Sequence, residues 1–175
     1  MVFTEFLEFV EDQFGLEVVD KLAEVSANGG AYTSVGTYDH GELVKMLVVL
    51  SETSGMEIKK LLNVFGHHLF GFLVRSYPMV LQDASNAFEL LSHIDDQIHV
   101  EVRKLYPDSE LPEFQHKMVS EDHMQLTYRS ERGLADLAEG LLLGCFEHYG
   151  ESVSLEKKDL SDGTSKVVQF DLKKT

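Results

Sequence analysis

The chain has 175 residues, 43% of them apolar, a single cysteine, and a formal charge of −15 from 15 basic and 30 acidic side chains. That length and apolar content suit one folded domain with its own core rather than a disordered chain. The acidity makes nucleic acid and anionic lipid poor partners, Cys145 alone excludes an intrachain disulfide, and no apolar run reaches membrane-spanning length. Glu5, Glu8 and Glu11 stand where a signal peptide would be basic. The expectation is a soluble, cytoplasmic single domain over residues 1–175.

Phe3, Phe6, Leu7, Val10 and Phe14 recur at helical spacing, and Gly15 ends that helix. Leu16 to Val25 reads as a second helix stopped by Asn28-Gly29-Gly30, followed by an irregular connection from Ala31 to Tyr38. Asp39 is suited to cap a helix that runs to Gly55. The stretch from Glu57 to Ser76 is apolar almost all round, as a helix buried on several sides would be, and Gly66 and Gly71 either permit close backbone approach or mark a break. Phe88, Leu91, Ile94, Ile98, Val102 and Leu105 form one stripe, which predicts a single long helix from about Ser85 to Leu105, ended by Pro107 and Pro112.

The texture then changes. His123 to Glu131 alternates apolar and polar as a half-buried strand, and Phe114 to Val119 is placed to pair with it. Gly133 to Tyr149 returns to helix, with Leu134, Leu137, Leu141, Leu142, Cys145 and Phe146 expected on its inner side. Ser152 to Asp159 and Lys166 to Leu172 make a last hairpin around Ser161-Asp162-Gly163. Helices followed by an antiparallel sheet give an α+β class.

Two stretches carry candidate chemistry. His99 borders the apolar stripe one turn after Asp95, where a neutral imidazole could ligate a metal through one nitrogen and donate from the other. From that stretch alone, a partly buried histidine satisfied by Asp95 or a carbonyl is the stronger reading. Tyr128-x-Ser130-x-Arg132, read as strand, puts two hydroxyls and a guanidinium on one face beyond Met124 and Leu126, a row of about 13 Å at ~3.3 Å per residue. Apolar residues running into carboxylate donors suit a ligand greasy at one end and anionic at the other. A strand emerging into solvent explains the spacing equally well. His67 and His68 diverge around a helix and read as ordinary packing, and neither a P-loop, a dinucleotide fingerprint nor a nucleophile elbow is present.

The run Ile98-His99-Val100-Glu101-Val102 to Leu105-Tyr106-Pro107, then Pro112, then Tyr128-Arg129-Ser130-Glu131-Arg132, resembles the H-NOX family. These are haem nitric oxide/oxygen binding (HNOB) domains related to the sensor region of soluble guanylate cyclase. Phe65-Gly66 and Ala138-Glu139-Gly140-Leu141-Leu142-Leu143-Gly144 extend the resemblance over nearly the whole chain. It implies haem b (protoporphyrin IX iron), with His99 as proximal iron ligand and Tyr128, Ser130 and Arg132 binding the propionates. Pro112 would press on the porphyrin, and Val2, Phe6, Leu73, Leu137 and Leu141 would surround the distal pocket. It also implies an H-NOX fold with a helical distal subdomain over about 1–60 and a proximal subdomain over about 61–175, its four-stranded antiparallel sheet enclosing the haem.

Oxygen-binding members of the family place a tyrosine hydroxyl where this chain has Leu137, which donates nothing. The resemblance therefore implies nitric oxide and carbon monoxide binding to ferrous haem without a stable oxygen complex, Tyr77 lying beyond the first shell. Cys145 alone cannot supply the Cys/His zinc site of some relatives, so no zinc is expected. The chain also starts a few residues short of the family's usual beginning. With no effector sequence after Thr175, output is expected to pass to a separate histidine kinase or cyclic-dinucleotide enzyme through rupture of the iron–His99 bond. The alternatives are a haem enzyme of peroxidase type, for which the distal wall lacks an acid/base pair, and a cofactor-free interaction domain.

Overall fold

The computed structural model describes residues 1–34, 36 and 38–175, the side chain of Val80 apart. The first three helices are α1 (Val2–Phe14), α2 (Leu16–Val25) and α3 (His40–Ser54). Their ends follow local chemistry. Gly15 takes φ 86° between α1 and α2, Asp39 Oδ1 accepts from Gly41 N at 2.6 Å to cap α3, and Gly55 closes α3 in the left-handed region. The irregular connection after α2 is present, with Val35 and Thr37 outside the described residues.

These helices and α4 (Ile58–Ser76) enclose a first core around Phe6, Phe9, Met46, Leu50, Leu61 and Phe65. Phe6 meets Phe65 edge-on with ring centroids 5.1 Å apart. Burial of each such ring contributes about 1.5–3 kcal/mol.

The second core lies on a four-stranded antiparallel sheet of order β1-β2-β4-β3, built from β1 (Glu113–Ser120), β2 (His123–Arg129), β3 (Val153–Asp159) and β4 (Val167–Lys174). The cross-strand partners Met124 and Leu172, Leu126 and Phe170, and Tyr128 and Val168 are all buried, so the period-2 pattern fixes the register. Helix α7 (Ala135–His148) covers this face with Ala138, Leu142, Cys145 and Phe146.

Helices α4 and α7 cross at backbone contact. A side chain on Gly66 would strike the Leu137 carbonyl, one on Gly140 the Asn63 carbonyl, and one on Gly144 would come within 2.9 Å of Phe70 Cβ. Of the two readings open for Gly66 and Gly71, Gly66 serves close approach, and both lie within continuous helix. The apolar residues of α7 and its N-cap Leu134 divide between the cores: Leu134, Leu137 and Leu141 pack on the N-terminal one, and Leu142, Cys145 and Phe146 on the sheet.

Two expectations are corrected. The stretch from 85 to 105 is not one helix but α5 (Ala87–Ser92), a π-turn over Ile94–Ile98, and α6 (His99–Leu105). Ile98 N bonds His93 O at 3.2 Å, five residues back, and the extra residue turns all that follows by about 100° around the axis. Nor does β2 reach Glu131. It ends at Arg129, Ser130 N makes one more bond to Lys166 O at 2.8 Å, and Gly133 then turns the chain at φ 63°. Ser130 and Arg132 therefore leave the strand rather than continuing its face.

Candidate functional site

His99 opens α6 immediately after the π-turn and is 8% exposed. Its Nδ1 lies 2.8 Å from Asp95 Oδ1, while Asp95 Oδ2 accepts from Phe114 N–H at 2.8 Å. Burial lowers the imidazole pKa against the opposing pull of Asp95, which favours the neutral ring. A carboxylate only accepts, so the proton sits on Nδ1 and the Nε2 lone pair remains available to a metal. The Phe114 ring stands between His99 and Tyr128, with centroids 6.0 Å and 5.6 Å away.

Tyr128, Ser130 and Arg132 stay together although they share no strand. The Tyr128 hydroxyl accepts from Leu134 N–H at 3.1 Å, which leaves its proton free to donate. Burial raises the Tyr128 phenol, opposed by Ser130, the Leu134 N–H and Arg132. Ser130 Oγ accepts from Arg132 N at 3.2 Å. Arg132 Nη2 donates to the exposed Glu110 carboxylate at 3.2 Å, but its buried Nε has no hydrogen-bond partner among the described residues. A buried guanidinium nitrogen left open is costly, and a carboxylate would satisfy it.

An apolar cavity between the C-terminal half of α4 and α6 is lined by Leu73, Val74, Leu90, Ile98 and Val102 among others. A more polar cleft holding Val2, Glu110 and Arg132 adjoins it, the two sharing Val102, Leu105 and Tyr106. The Tyr77 and Tyr106 hydroxyls meet at 3.2 Å across the apolar cavity, and this bond, with burial, pushes the Tyr106 phenol up to about 12. Space that is greasy between α4 and α6 and cationic at Arg132 matches the chemistry of a porphyrin with its propionates. Arg132 lines the polar cleft, whereas His99 lines neither space, although Ile98 and Val102 beside it line the apolar one. The His99 Nε2 and the open Nε of Arg132 are chemically suited to an iron and to carboxylates.

Among the other expected residues, Val2 and Leu73 line the cleft and the cavity respectively, whereas Phe6, Leu137 and Leu141 sit in or against the N-terminal core. Pro112 is half-buried just ahead of β1. His67 bonds Glu147 at 2.5 Å and His68 packs on Phe9, so both are occupied elsewhere. Sequence reading missed the second bond of Asp95 and the carboxylate of Glu110. Asp95 had a signal in its i−4 spacing, but its tie to Phe114 crosses 19 residues and had none.

A family model described as Haem-NO-binding matches residues 1–157. No curated protein sequence matches the chain. Among solved structures, the IWP-051-bound H-NOX of Shewanella woodyi in its Fe(II)CO state is 40% identical, with TM-score 0.85 over 100% of this chain and 93% of that one. The Fe(II) unliganded H-NOX protein of K. algicida is 36% identical, with TM-score 0.94 over 99% and 95%. An H-NOX protein of S. oneidensis in its Fe(II)NO state is 25% identical, with TM-score 0.93 over 99% and 97%.

Proposed function

Because the chain belongs to the haem-NO-binding (H-NOX) family, we propose that it is a haem-based gas sensor with no catalysis of its own. The observation that carries this reading is the His99 imidazole, buried and favoured neutral, with Nδ1 committed to Asp95 and Nε2 without a hydrogen-bond partner among the described residues. When bound, the haem would supply a ferrous iron able to take a diatomic gas. His99 would hold that iron through Nε2. Tyr128, Ser130 and Arg132 would receive the propionates, with the Arg132 fork exchanging the exposed Glu110 for a fixed carboxylate. Pro112 would press on the porphyrin.

The finer reading is selectivity for nitric oxide and carbon monoxide. Leu137 and Leu141 on α7, Leu73 on α4, and Val2 and Phe6 on α1 would form a distal wall whose own side chains offer no hydrogen-bond donor, while the Tyr77 and Tyr106 hydroxyls that line the same cavity as Leu73 bond each other. Neutral nitric oxide and carbon monoxide need no such donor, whereas stable oxygen binding does. The signal would be the release of His99 from the iron it would hold. His99 begins a helix of seven residues joined to α5 only through the π-turn, so α6 is the short element whose position that release biases. The output passes to a separate partner of the histidine kinase or cyclic-dinucleotide enzyme type.

Replacing His99 by Gly tests the assignment. The variant is expected to lose histidine-ligated five-coordinate ferrous haem and to regain a ligated spectrum with added imidazole. An unchanged ferrous spectrum in the variant would refute the role of His99.

A further inference from the structure

Both oxygens of Asp95 are engaged, one by the imidazole of His99 and one by the backbone of the sheet. Oδ1 lies 2.8 Å from His99 Nδ1 and Oδ2 lies 2.8 Å from Phe114 N. A carboxylate anchored at two points cannot rotate away from the ring, so the imidazole is tethered through Nδ1 to the start of β1. The Phe114 ring flanks His99 and restricts it further. The π-turn carries Asp95 itself, so the segment that displaces α6 also delivers the carboxylate.

Drawing on the Nδ1–H of a ligating histidine increases the basicity of Nε2 and strengthens its bond to metal. A carboxylate is a stronger acceptor of the His99 N–H than a backbone carbonyl would be. We propose that Asp95 is the positioning residue of this site: its carboxylate holds His99 in the Nε2-lone-pair form and makes it a firmer iron ligand, resisting the release of His99 when nitric oxide binds. The inference rests on the haem-sensor reading above and adds to it the residue that sets the balance between histidine-bound and histidine-free nitric oxide complexes. The same carboxylate links that balance to β1, because movement of the His99 ring pulls on the Phe114 backbone through Asp95.

Asp95→Asn is the test, on the haem-loaded full chain. The amide keeps the size of the side chain but offers one oxygen to two N–H donors. The iron–histidine stretching band of the ferrous variant is expected at lower frequency by resonance Raman spectroscopy. The ratio of five- to six-coordinate nitric oxide complex is expected to rise about tenfold, the lower end of what outer ligand partners contribute. Asp95→Glu, which retains a carboxylate, should recover part of both effects. An unchanged band and an unchanged ratio in Asp95→Asn overturn the proposal.

Should that variant fail to retain haem, the carbon monoxide complex of the unaltered protein decides. Its His99 Nδ1–H proton is expected far downfield and protected from exchange, and a rapidly exchanging proton overturns the proposal. Absence of any iron–histidine band in the unaltered protein defeats the haem reading itself. A normal band that Asp95→Asn leaves in place defeats only the role of Asp95.

Discussion

Gly140→Ala is expected to loosen the crossing of α4 and α7, on which the geometry of the proposed distal wall depends. The new methyl would strike the Asn63 carbonyl and come within 2.9 Å of His67 N. Both obstacles are backbone atoms of α4, so no rotamer change relieves them and the helices must separate. Overpacking of this kind costs about 1–3 kcal/mol, and a backbone obstacle puts this site near the upper end. Alanine offsets about 1 kcal/mol through its helix propensity, leaving a net loss of about 2 kcal/mol. For a chain of this length that is a fall of roughly 4–8 °C in Tm.

Gly71→Ala is the matched control on α4. There the methyl meets only Arg75 Nη1, at 3.3 Å on a flexible side chain, so stability should rise by roughly 0.5–1 kcal/mol. Thermal unfolding followed by circular dichroism measures both. Equal Tm values for Gly140→Ala and the unaltered chain, or equal losses in both variants, would refute the close-approach argument.

Arg132→Ala should speed haem loss to an apomyoglobin trap. Charge-assisted hydrogen bonds contribute about 1.5–3 kcal/mol, so the expected change is about 10- to 100-fold, and an unchanged rate would remove Arg132 from the propionate site. Asp171→Asn should flatten the acid limb of the stability curve. His123 lies 2.8 Å from the Asp171 carboxylate and holds its pKa at about 2, against an unperturbed 3.8. Because the folded value is the lower one, the stabilisation is complete above about pH 4 and is lost as pH falls towards 2. Urea titrations from pH 5 to pH 2 check this, and parallel acid limbs for the two proteins would contradict it.

The first three helices were legible because each presents one apolar face and is bounded by a residue with a local reason to stand there: Gly15 between the first two, Asp39 at the start of the third and Gly55 at its end. The sheet was legible because Met124, Leu126 and Tyr128 alternate against Val168, Phe170 and Leu172. The π-turn was not. Phe88, Leu91, Ile94, Ile98 and Val102 keep helical spacing straight through it, and the Asp95–Phe114 bond that lies across it is tertiary. The strand's end at Arg129 was hidden for a similar reason. Tyr128, Ser130 and Arg132 keep the period of two, but Gly133 turns where a side chain would strike Thr164 O at 2.6 Å, a contact no local pattern encodes. The candidate site was half legible. The His99 and Tyr128–Arg132 motifs stood out, as did Asp95 one turn before His99, while the second bond of Asp95 to Phe114 and the carboxylate of Glu110 are set by chain crossings rather than by spacing.

One visible absorption spectrum bears most directly on the central claim. The purified chain, reconstituted with haem and reduced, is recorded alone, in air and with nitric oxide. The account predicts five-coordinate, histidine-ligated ferrous haem, no stable oxygen complex in air, and a distinct nitric oxide complex. A chain that takes up no haem, or one that forms an air-stable oxygen complex, would contradict it.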